Sequence, residues 1–340
     1  IIAHHQKLSA LLAAGILLLP ATQYPATTWW SKPDLDREYV LSLDVEHYFG
    51  NIQKMRKHLE TDRQILWVTY YRNLYNATHP SEINSPVSLS RNLLAWNQPG
   101  TNGLILPVNP SASFLSILFA NELWFTLGDM TMAEHCAMLS MIFSPRNSGS
   151  RMIKRLAEIN LVNGDDEAAL KYLRILDKTL LHKSWAEKRI PGQQTPRVKE
   201  WLEKKRRDIP TQDHLRSGND AVTSLRNLVA SNAGNLRAYE YLLCYHLLSK
   251  DLRSFVEDYV PGKVSSSIFA EALLIHLARQ GNIRAEELIK YQIPVKIAKE
   301  FADYTRLYEA KDTSLKEKYG KTYWFYYHFA TTEPGKESKP

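Results

Sequence analysis

A short turn that recurs between apolar helical stretches constrains this chain more than any other feature. In each case a glycine, or once a lysine, is followed by asparagine or aspartate; the dipeptides begin at Gly50, Gly128, Gly164, Lys250 and Gly281. Glycine readily takes the left-handed conformation that ends a helix, and an Asn or Asp side chain caps the next helix. Neighbouring turns are 36 residues apart (128 to 164) and 31 residues apart (250 to 281). This spacing predicts a chain of repeated helical hairpins.

The apolar residues between the turns follow the helical period. Two apolar stripes at three- and four-residue spacing flank Gly164, namely Ile153, Leu156, Ile159 and Val162 before it, and Ala169, Leu170, Leu173 and Leu176 after it. Each stripe covers one side of a helix, so each needs another helix to bury it. Alternating, strand-like runs are nearly absent after Tyr39. The pattern therefore predicts an all-α fold.

One segment resembles a degenerate tetratricopeptide (TPR) unit. Between Leu123 and Pro145, the turn glycine, the small residues Ala133 and Ser140 and the terminal proline occupy the positions that this repeat gives them. The resemblance implies an α-α superhelix, a TPR-like solenoid of helical hairpins, over residues 39–330.

The repeat pattern is interrupted twice and stops before the C-terminus. Residues 77–113 contain five prolines and residues 190–220 contain three, so we expect irregular excursions from the helical array at both places. Residues 331–340 are polar and rich in proline and glycine, which predicts a disordered tail.

The first thirty residues differ from the rest of the chain. No charged residue occurs between Lys7 and Lys32, a gap of 24 positions, and the most apolar part is Leu8–Leu19. A helix of that length could cross a membrane, and Trp29-Trp30 suits a membrane interface. The apolar part alone has the size of a signal-peptide core. We therefore interpret residues 1–30 as a short hydrophobic helix that is a membrane span or anchor, a signal segment or, as a third alternative, a buried helix.

Three stretches resemble an uncharacterised family of Bacteroidota membrane proteins. They are residues 155–164 with the helix that follows, residues 240–243 with the turn at 250–252, and residues 319–329. Members of that family have several membrane spans followed by a TPR-like helical domain. The resemblance implies that this chain is anchored in the inner membrane with its helical domain in the periplasm, and it implies no activity. The alternative is an exported soluble protein.

The positive charge of the chain is concentrated in one segment, which we call the basic segment (residues 183–207). The formal net charge of the whole chain is +7, and the basic segment contains nine Lys or Arg against three Glu. One hypothesis is an exposed patch for anionic lipid, formed by Lys199, Lys204, Lys205, Arg206 and Arg207. The other is a solvated linker helix with one apolar contact. Nucleic acid is disfavoured, because no groove-reading or base-stacking motif accompanies the charge.

No motif for catalysis, cofactor binding or metal binding is present. The eleven histidines form no HExxH motif, the few glycines form no phosphate-binding loop, and the two cysteines, Cys136 and Cys244, lie in apolar helical contexts that favour a core position. We therefore expect no cofactor, no metal and no enzymatic activity, unless upstream membrane spans are catalytic. The aromatic run at residues 323–329 predicts a final helix that closes the core, with its hydroxyls reaching water.

The inner surface of the predicted array is the best candidate for a binding site. Counting from the turns places seven residues on that concave face: Glu122, Phe125, Arg151, Lys154, Glu158, Arg237 and Glu240. Their charges are mixed. The function that we expect is a membrane-associated scaffold for a protein partner. The alternatives are an accessory domain of a multi-span membrane enzyme acting on lipid-linked glycans, and an exported glycan-binding domain in which Trp96 and Trp185 stack on sugars.

Overall fold

A computed structural model describes residues 34–60, 65–78, 103–108, 114–143, 149–212 and 220–330. The chain divides into two compact units, residues 1–65 and residues 66–340, which are treated separately below. The predictions for residues 1–30, for most of the 77–113 excursion and for the tail at 331–340 lie outside the described residues.

The described part of the chain contains seventeen α-helices and no β-strand, which confirms the predicted all-α fold. The first unit contains α1 (Leu35–Phe49) and α2 (Ile52–Leu59). The second unit contains α3 (Leu66–Thr78), α4 (Phe114–Leu127), α5 (Met130–Phe143), α6 (Ser150–Asn163), α7 (Asp166–Asp177), α8 (Lys183–Glu187), α9 (Pro196–Arg206), α10 (Ala221–Ser231), α11 (Leu236–Leu248), α12 (Leu252–Asp258), α13 (Ser267–Arg279), α14 (Ala285–Lys290), α15 (Val295–Glu309), α16 (Leu315–Tyr319) and α17 (Tyr323–Phe329). Among the described helices, none has both the length and the apolar character that a membrane crossing requires.

All five predicted turns have the same backbone geometry. The first residue of each dipeptide has a positive φ, including Lys250 at 57°. The N–H of the second residue donates to the carbonyl five residues earlier, as in Asp165 to Asn160 at 2.9 Å and Asp251 to His246 at 2.9 Å. This is the hydrogen bond of a Schellman motif, which satisfies carbonyls at the end of a helix. Two further turns have this geometry, Gln292-Ile293 and Lys311-Asp312; neither contains a glycine, and neither was identified from the sequence.

The turns join consecutive helices into hairpins, as the two apolar stripes on either side of Gly164 predict. That glycine separates α6 from α7, and the Asp165 carboxylate accepts the N–H of Ala168 at 2.9 Å to cap α7. Helices α5, α7 and α12 each follow one of these turns. In each of them the residue five positions after the first residue of the turn is fully buried: Ala133, Ala169 and Phe255. These positions therefore lie where the second helix of each hairpin packs most closely on its neighbours.

Helix α4 is the most deeply buried element of the second unit. Eleven of its last twelve residues are buried, namely the pair Ser116-Ile117 and the continuous run Phe119–Leu127. A helix that is apolar on all sides is stable only when neighbours surround it. One neighbour is α3, whose Tyr70 hydroxyl donates to the Phe119 carbonyl at 2.7 Å. Cys136 on α5 and Cys244 on α11 are also buried.

The stretch at 190–220, expected to be an irregular excursion, contains helix α9. Pro196 occupies the first turn of this helix, where a missing N–H costs nothing, and Val198 and Leu202 are buried. The proline that suggested an interruption therefore begins a helix, and that helix packs on α6.

The final helix is confirmed at Tyr323–Phe329, but the expectation that its hydroxyls reach water is wrong for two of its three tyrosines, Tyr323 and Tyr326. The hydroxyls of Tyr323 and Tyr326 donate to the carbonyls of Leu247 and Leu248 at 3.0 and 2.7 Å. Both tyrosines are buried. They donate to carbonyls in the last turn of α11, which lack partners within their own helix; the Leu247 carbonyl also accepts the N–H of Lys250 at 3.0 Å.

Candidate functional site

Buried ion pairs join α4 to α6. Arg155 of α6 donates from Nε to the Asn121 side chain at 2.9 Å, and its terminal nitrogens pair with Glu122 and Glu158. Arg151, one turn earlier, pairs with the other oxygen of Glu122 at 3.0 Å. The side chains of Arg155, Glu122 and Glu158 are about nine-tenths buried. Charges so deeply buried are stable only when each is paired, and here Arg155 has three acceptors.

The ring of Phe125, three residues after Glu122, contacts two cationic side chains and one aromatic ring from two other helices. The guanidinium carbon of Arg155 lies 3.9 Å from the centroid of the Phe125 ring, and the Lys205 ammonium of α9 lies 4.6 Å from it. Trp201 of α9 stacks on Phe125 with centroids 6.3 Å apart. Cation–π contacts of this kind strengthen when water is excluded. Helix α9 therefore packs onto the predicted inner face of α4.

Hydrogen bonds fix the end of the basic segment to α6, and the residue that follows it, Asp208, to α11. Arg206 donates to the carbonyls of Leu161 and Val162 at 2.7 and 3.0 Å, at the C-terminus of α6. Asn235, at the start of α11, donates to the carbonyls of Leu127 and Asp208 at 2.7 and 2.8 Å. This part of the chain is therefore an ordered element of the fold rather than a solvated linker.

Gly128 has a second role beside its left-handed turn. A Cβ at this position would lie 2.2 Å from the carbonyl oxygen of Asp208, closer than any van der Waals contact allows. The glycine therefore permits the residues after α9 to approach the end of α4. Gly164 has the same left-handed φ, but a Cβ there would meet open space.

The first half of the basic segment adds a further layer of cations and indole rings. The guanidinium of Arg189 lies 4.1 Å from the ring of Trp185 and 5.9 Å from that of Trp201, and the Lys154 ammonium of α6 lies 5.2 Å from Trp185. The Trp185 ring is partly buried and also packs against apolar residues of α6 and α7. Trp96 lies outside the described residues.

We call this assembly the cationic cluster. It comprises six basic side chains and three carboxylates: Arg151, Lys154, Arg155, Arg189, Lys205 and Arg237 with Glu122, Glu158 and Asp208. Contacts to one another or to the rings of Phe125, Trp185 and Trp201 join most of them, whereas the Arg237–Asp208 pair interacts with Lys205 through its charges. Positive charge is thus in excess, although the seven inner-face positions alone looked mixed in sign. Two of the cations, Arg189 and Lys205, come from the basic segment.

Burial, together with neighbouring positive charges, shifts the ionisation of two lysines in the cluster. Burial lowers the pKa of Lys205 to about 8, and the charges of Arg155 and Arg237 act in the same direction. Burial also lowers the pKa of Lys154, with Arg155 and Arg189 contributing, although Glu158 opposes the shift. A lowered lysine pKa means that the protonated form is destabilised where it stands. An anion placed beside these ammonium groups would relieve that destabilisation.

The inner-face positions predicted from the repeat fall into four groups. Glu122, Phe125 and Glu158 are largely buried within the cationic cluster, whereas Arg151 and Lys154 are partly exposed at its surface. Arg237 reaches its edge, pairing with Asp208 at 3.4 Å and donating to the Thr126 carbonyl at 3.0 Å. Glu240 is half-buried on α11.

The predicted basic patch divides in the structure. Lys199, Lys204 and Arg207 are exposed, and Arg206, though largely exposed, binds the carbonyls of α6. Lys205 points at Phe125 and is not part of an open surface. Adjacent lysines on a helix project in different directions, so the charge run in the sequence could not show which one faces inward.

Sequence reasoning missed Asn121, Arg155, Arg189 and Asp208. Arg155 follows Arg151 at the i+4 spacing that puts both on one helix face, so the repeat pattern could have included it. Arg189 and Asp208 had no comparable signal, because nothing in the sequence indicated that the basic segment folds onto α4 and α6. Within the described ranges, no group of three or more His, Cys, Asp or Glu side chains could hold a metal ion.

The fold and the site define the class of this chain: an all-α protein of helical hairpins, with a largely buried cluster of basic and aromatic side chains in its second unit. Residues 2–330 match a family of unknown function, DUF6057, and the chain belongs to that family. Comparison with curated proteins and with solved structures gives no match.

Proposed function

We propose that this chain is a membrane-associated, TPR-like scaffold that binds an acidic segment of a protein partner at the cationic cluster. The observation that carries the proposal is the excess of positive charge around Phe125, in which Lys205 is held among like charges. An acidic side chain would pair with these cations and stabilise their protonated forms.

The distribution of the cations favours an extended ligand. Arg151 and Lys154 lie on α6, Arg189 precedes α9, and Arg237 lies on α11, so the partly exposed cations are spread over several elements. A short peptide segment can contact such a row with successive side chains, as ligands of helical-repeat proteins do along an inner face.

The side chain of Arg189 offers a hydrogen-bond donor for a ligand. Its Nε is buried and has no hydrogen-bond partner within the described part of the chain, while its terminal nitrogen donates to the Trp185 carbonyl at 3.2 Å. Buried guanidinium N–H groups are normally paired, because leaving them unpaired costs free energy. A carboxylate of the partner would provide that acceptor.

The wider setting is part of the same proposal. The apolar, charge-free stretch before Lys32 supports a membrane anchor, and the resemblance to Bacteroidota membrane proteins supports a periplasmic position for the helical body. The hairpins with shared Schellman turns support a TPR-like superhelix.

The test is binding of a fluorescent acidic peptide to the full-length chain, followed by anisotropy. The peptide alternates Glu and Leu, and a peptide that alternates Lys and Leu has the opposite charge. We expect the acidic peptide to bind and the basic peptide not to bind. The double variant Lys154→Gln/Arg189→Gln should bind the acidic peptide at least about tenfold more weakly, since each substitution removes a charge-assisted contact.

The matched control removes two cations outside the cluster. Lys171 on α7 and Arg253 on α12 have side chains that are 69% and 88% exposed, so Lys171→Gln/Arg253→Gln changes the net charge equally. We expect its affinity to match the unaltered chain. If both double variants weaken peptide binding equally, the loss of affinity follows from net charge alone, and that result would contradict the proposed site.

A further inference from the structure

Two leucines project from the turn between α7 and α8. Leu180 is 97% exposed and Leu181 is 82% exposed. We call residues 178–183 the leucine loop. Large apolar side chains with almost their whole surface in water are unfavourable unless another surface covers them.

The leucine loop is held in a defined conformation. The Thr179 N–H and hydroxyl both engage the Leu176 carbonyl, at 2.9 and 2.7 Å, and the Thr179 hydroxyl accepts the N–H of His182 at 3.2 Å. The N–H of Lys183 donates to the Thr179 carbonyl at 3.2 Å. The turn is therefore built to present its two leucines, and their exposure is a property of ordered backbone.

Four exposed basic residues lie close to the two leucines in the sequence. Lys178 and Lys183 flank the loop directly, Arg174 lies one turn earlier on α7, and Lys188 follows α8; all four are exposed. The exposed acidic residues nearby in the sequence are Asp177 and Glu187. The leucine loop thus combines a protruding apolar tip with a basic collar.

We infer that the leucine loop inserts into the headgroup region of a membrane leaflet that contains anionic lipid. The leucines would enter the acyl boundary, and the collar lysines would contact the phosphates. A protruding tip fits a soft lipid surface, and the charge of its collar is complementary to anionic headgroups. This contact is separate from the peptide site proposed above and from residues 1–30, and it would orient the folded body against the membrane.

The experiment places an environment-sensitive fluorophore (NBD) on a cysteine at the loop of the full-length chain. Leu181→Cys provides the thiol, and the native Cys136 and Cys244 are 0% and 1% exposed and so do not react in the folded protein. Ile289→Cys is the matched control, because Ile289 is 77% exposed on α14, also beside a lysine. The probes are vesicles of phosphatidylcholine alone and of an equimolar mixture with phosphatidylglycerol.

We expect the emission at position 181 to shift to the blue on the mixed vesicles and much less on phosphatidylcholine alone. Lys178→Gln/Lys183→Gln should remove most of the shift, because each lysine near an anionic surface contributes about a fivefold gain in membrane partitioning. Position 289 should not respond. Flotation shows in every case that the chain is bound to the vesicles.

Three results with vesicles alone would overturn the inference. They are no shift at position 181 while the chain floats with the vesicles, an equal shift at position 289, and a shift at position 181 that depends neither on lipid charge nor on the two lysines. A shift at 181 that requires an added protein instead of lipid also rejects it. None of these outcomes bears on peptide binding by the cationic cluster, so the two proposals fail separately.

Discussion

The ammonium group of Lys205 lies 4.6 Å from the ring centroid of Phe125, although the two residues belong to different helices 80 positions apart in the sequence. The contact brings the basic segment onto α4, at a position that the repeat pattern assigned to a partner-binding face. It also places Lys205 near Arg155, which contacts the same ring. A charged group in such surroundings has measurable consequences.

The first consequence is a pH-dependent stability. Because the pKa of Lys205 is lowered to about 8 in the folded chain, its protonated form destabilises the fold, and this penalty is fully present below pH 8. As the pH rises from 8 towards the ordinary lysine pKa of 10.5, the folded state loses the proton first and the penalty disappears. We expect Lys205→Met to be more stable than the unaltered chain at pH 7, by about 1–3 kcal/mol.

Urea unfolding across pH 7 to 10.5 measures this difference. The advantage of Lys205→Met should shrink steadily above pH 8. A difference in the free energy of unfolding that stays constant with pH would show that Lys205 titrates normally in the folded state.

The second consequence concerns Glu122, which pairs with both Arg151 and Arg155. Glu122→Gln removes the buried carboxylate and leaves two guanidinium groups close together, so we expect a loss of about 3 kcal/mol in the free energy of unfolding. Glu167→Gln is the control, because Glu167 forms an exposed pair with Lys171 and should cost about 0.5 kcal/mol or less. Similar costs for the two variants would refute the buried network.

A third prediction compares two glycines in the same left-handed conformation. Gly164→Ala introduces only backbone strain, about 1–2 kcal/mol, because its Cβ meets nothing. Gly128→Ala adds the collision with the Asp208 carbonyl, so we expect it to cost a further 1–3 kcal/mol, by the rough scale of overpacking. Thermal unfolding of both variants tests this, and equal melting temperatures would mean that residues 207–209 do not approach α4.

The fourth prediction concerns the C-terminal helix. Tyr326→Phe keeps the ring and removes the hydroxyl that satisfies the Leu248 carbonyl, so a loss of about 1 kcal/mol is expected. Tyr327→Phe is the comparison, because its hydroxyl accepts from Arg279 at an exposed position and should contribute less. If denaturant unfolding ranks the two variants in the opposite order, the assigned bond is wrong.

The hairpins could be predicted from the sequence because local chemistry determines them. The signal for a hairpin is local: a left-handed residue, a capping Asp after it, and apolar residues at helical spacing on either side. All of these lie within about twenty positions, as around Gly164. Even Lys250 was recognisable, since Asp251 and the flanking stripes identified its turn. The turn at Lys311-Asp312 was not identified, although it contains the same dipeptide and has the same backbone geometry.

The composition of the cationic cluster could not be predicted, because it depends on where a non-repeating segment folds. Nothing in residues 183–207 specifies that Lys205 faces Phe125 while Lys204 faces water; the packing of Val198 and Leu202 sets that rotation. The tyrosines of α17 illustrate the same limit, since their acceptors lie on α11 about 76 residues earlier. Contacts between distant elements carry no local signal.

The most direct test of the account is the titration of the Lys205 side chain by NMR in the full-length chain, with the ε-methylene signal assigned through Lys205→Arg. If the basic segment is folded against Phe125 as a site for acidic ligands, Lys205 titrates with a pKa of about 8, and the value rises when the Glu–Leu peptide is added. A Lys205 that titrates near 10.5 and does not respond to the peptide would contradict the account.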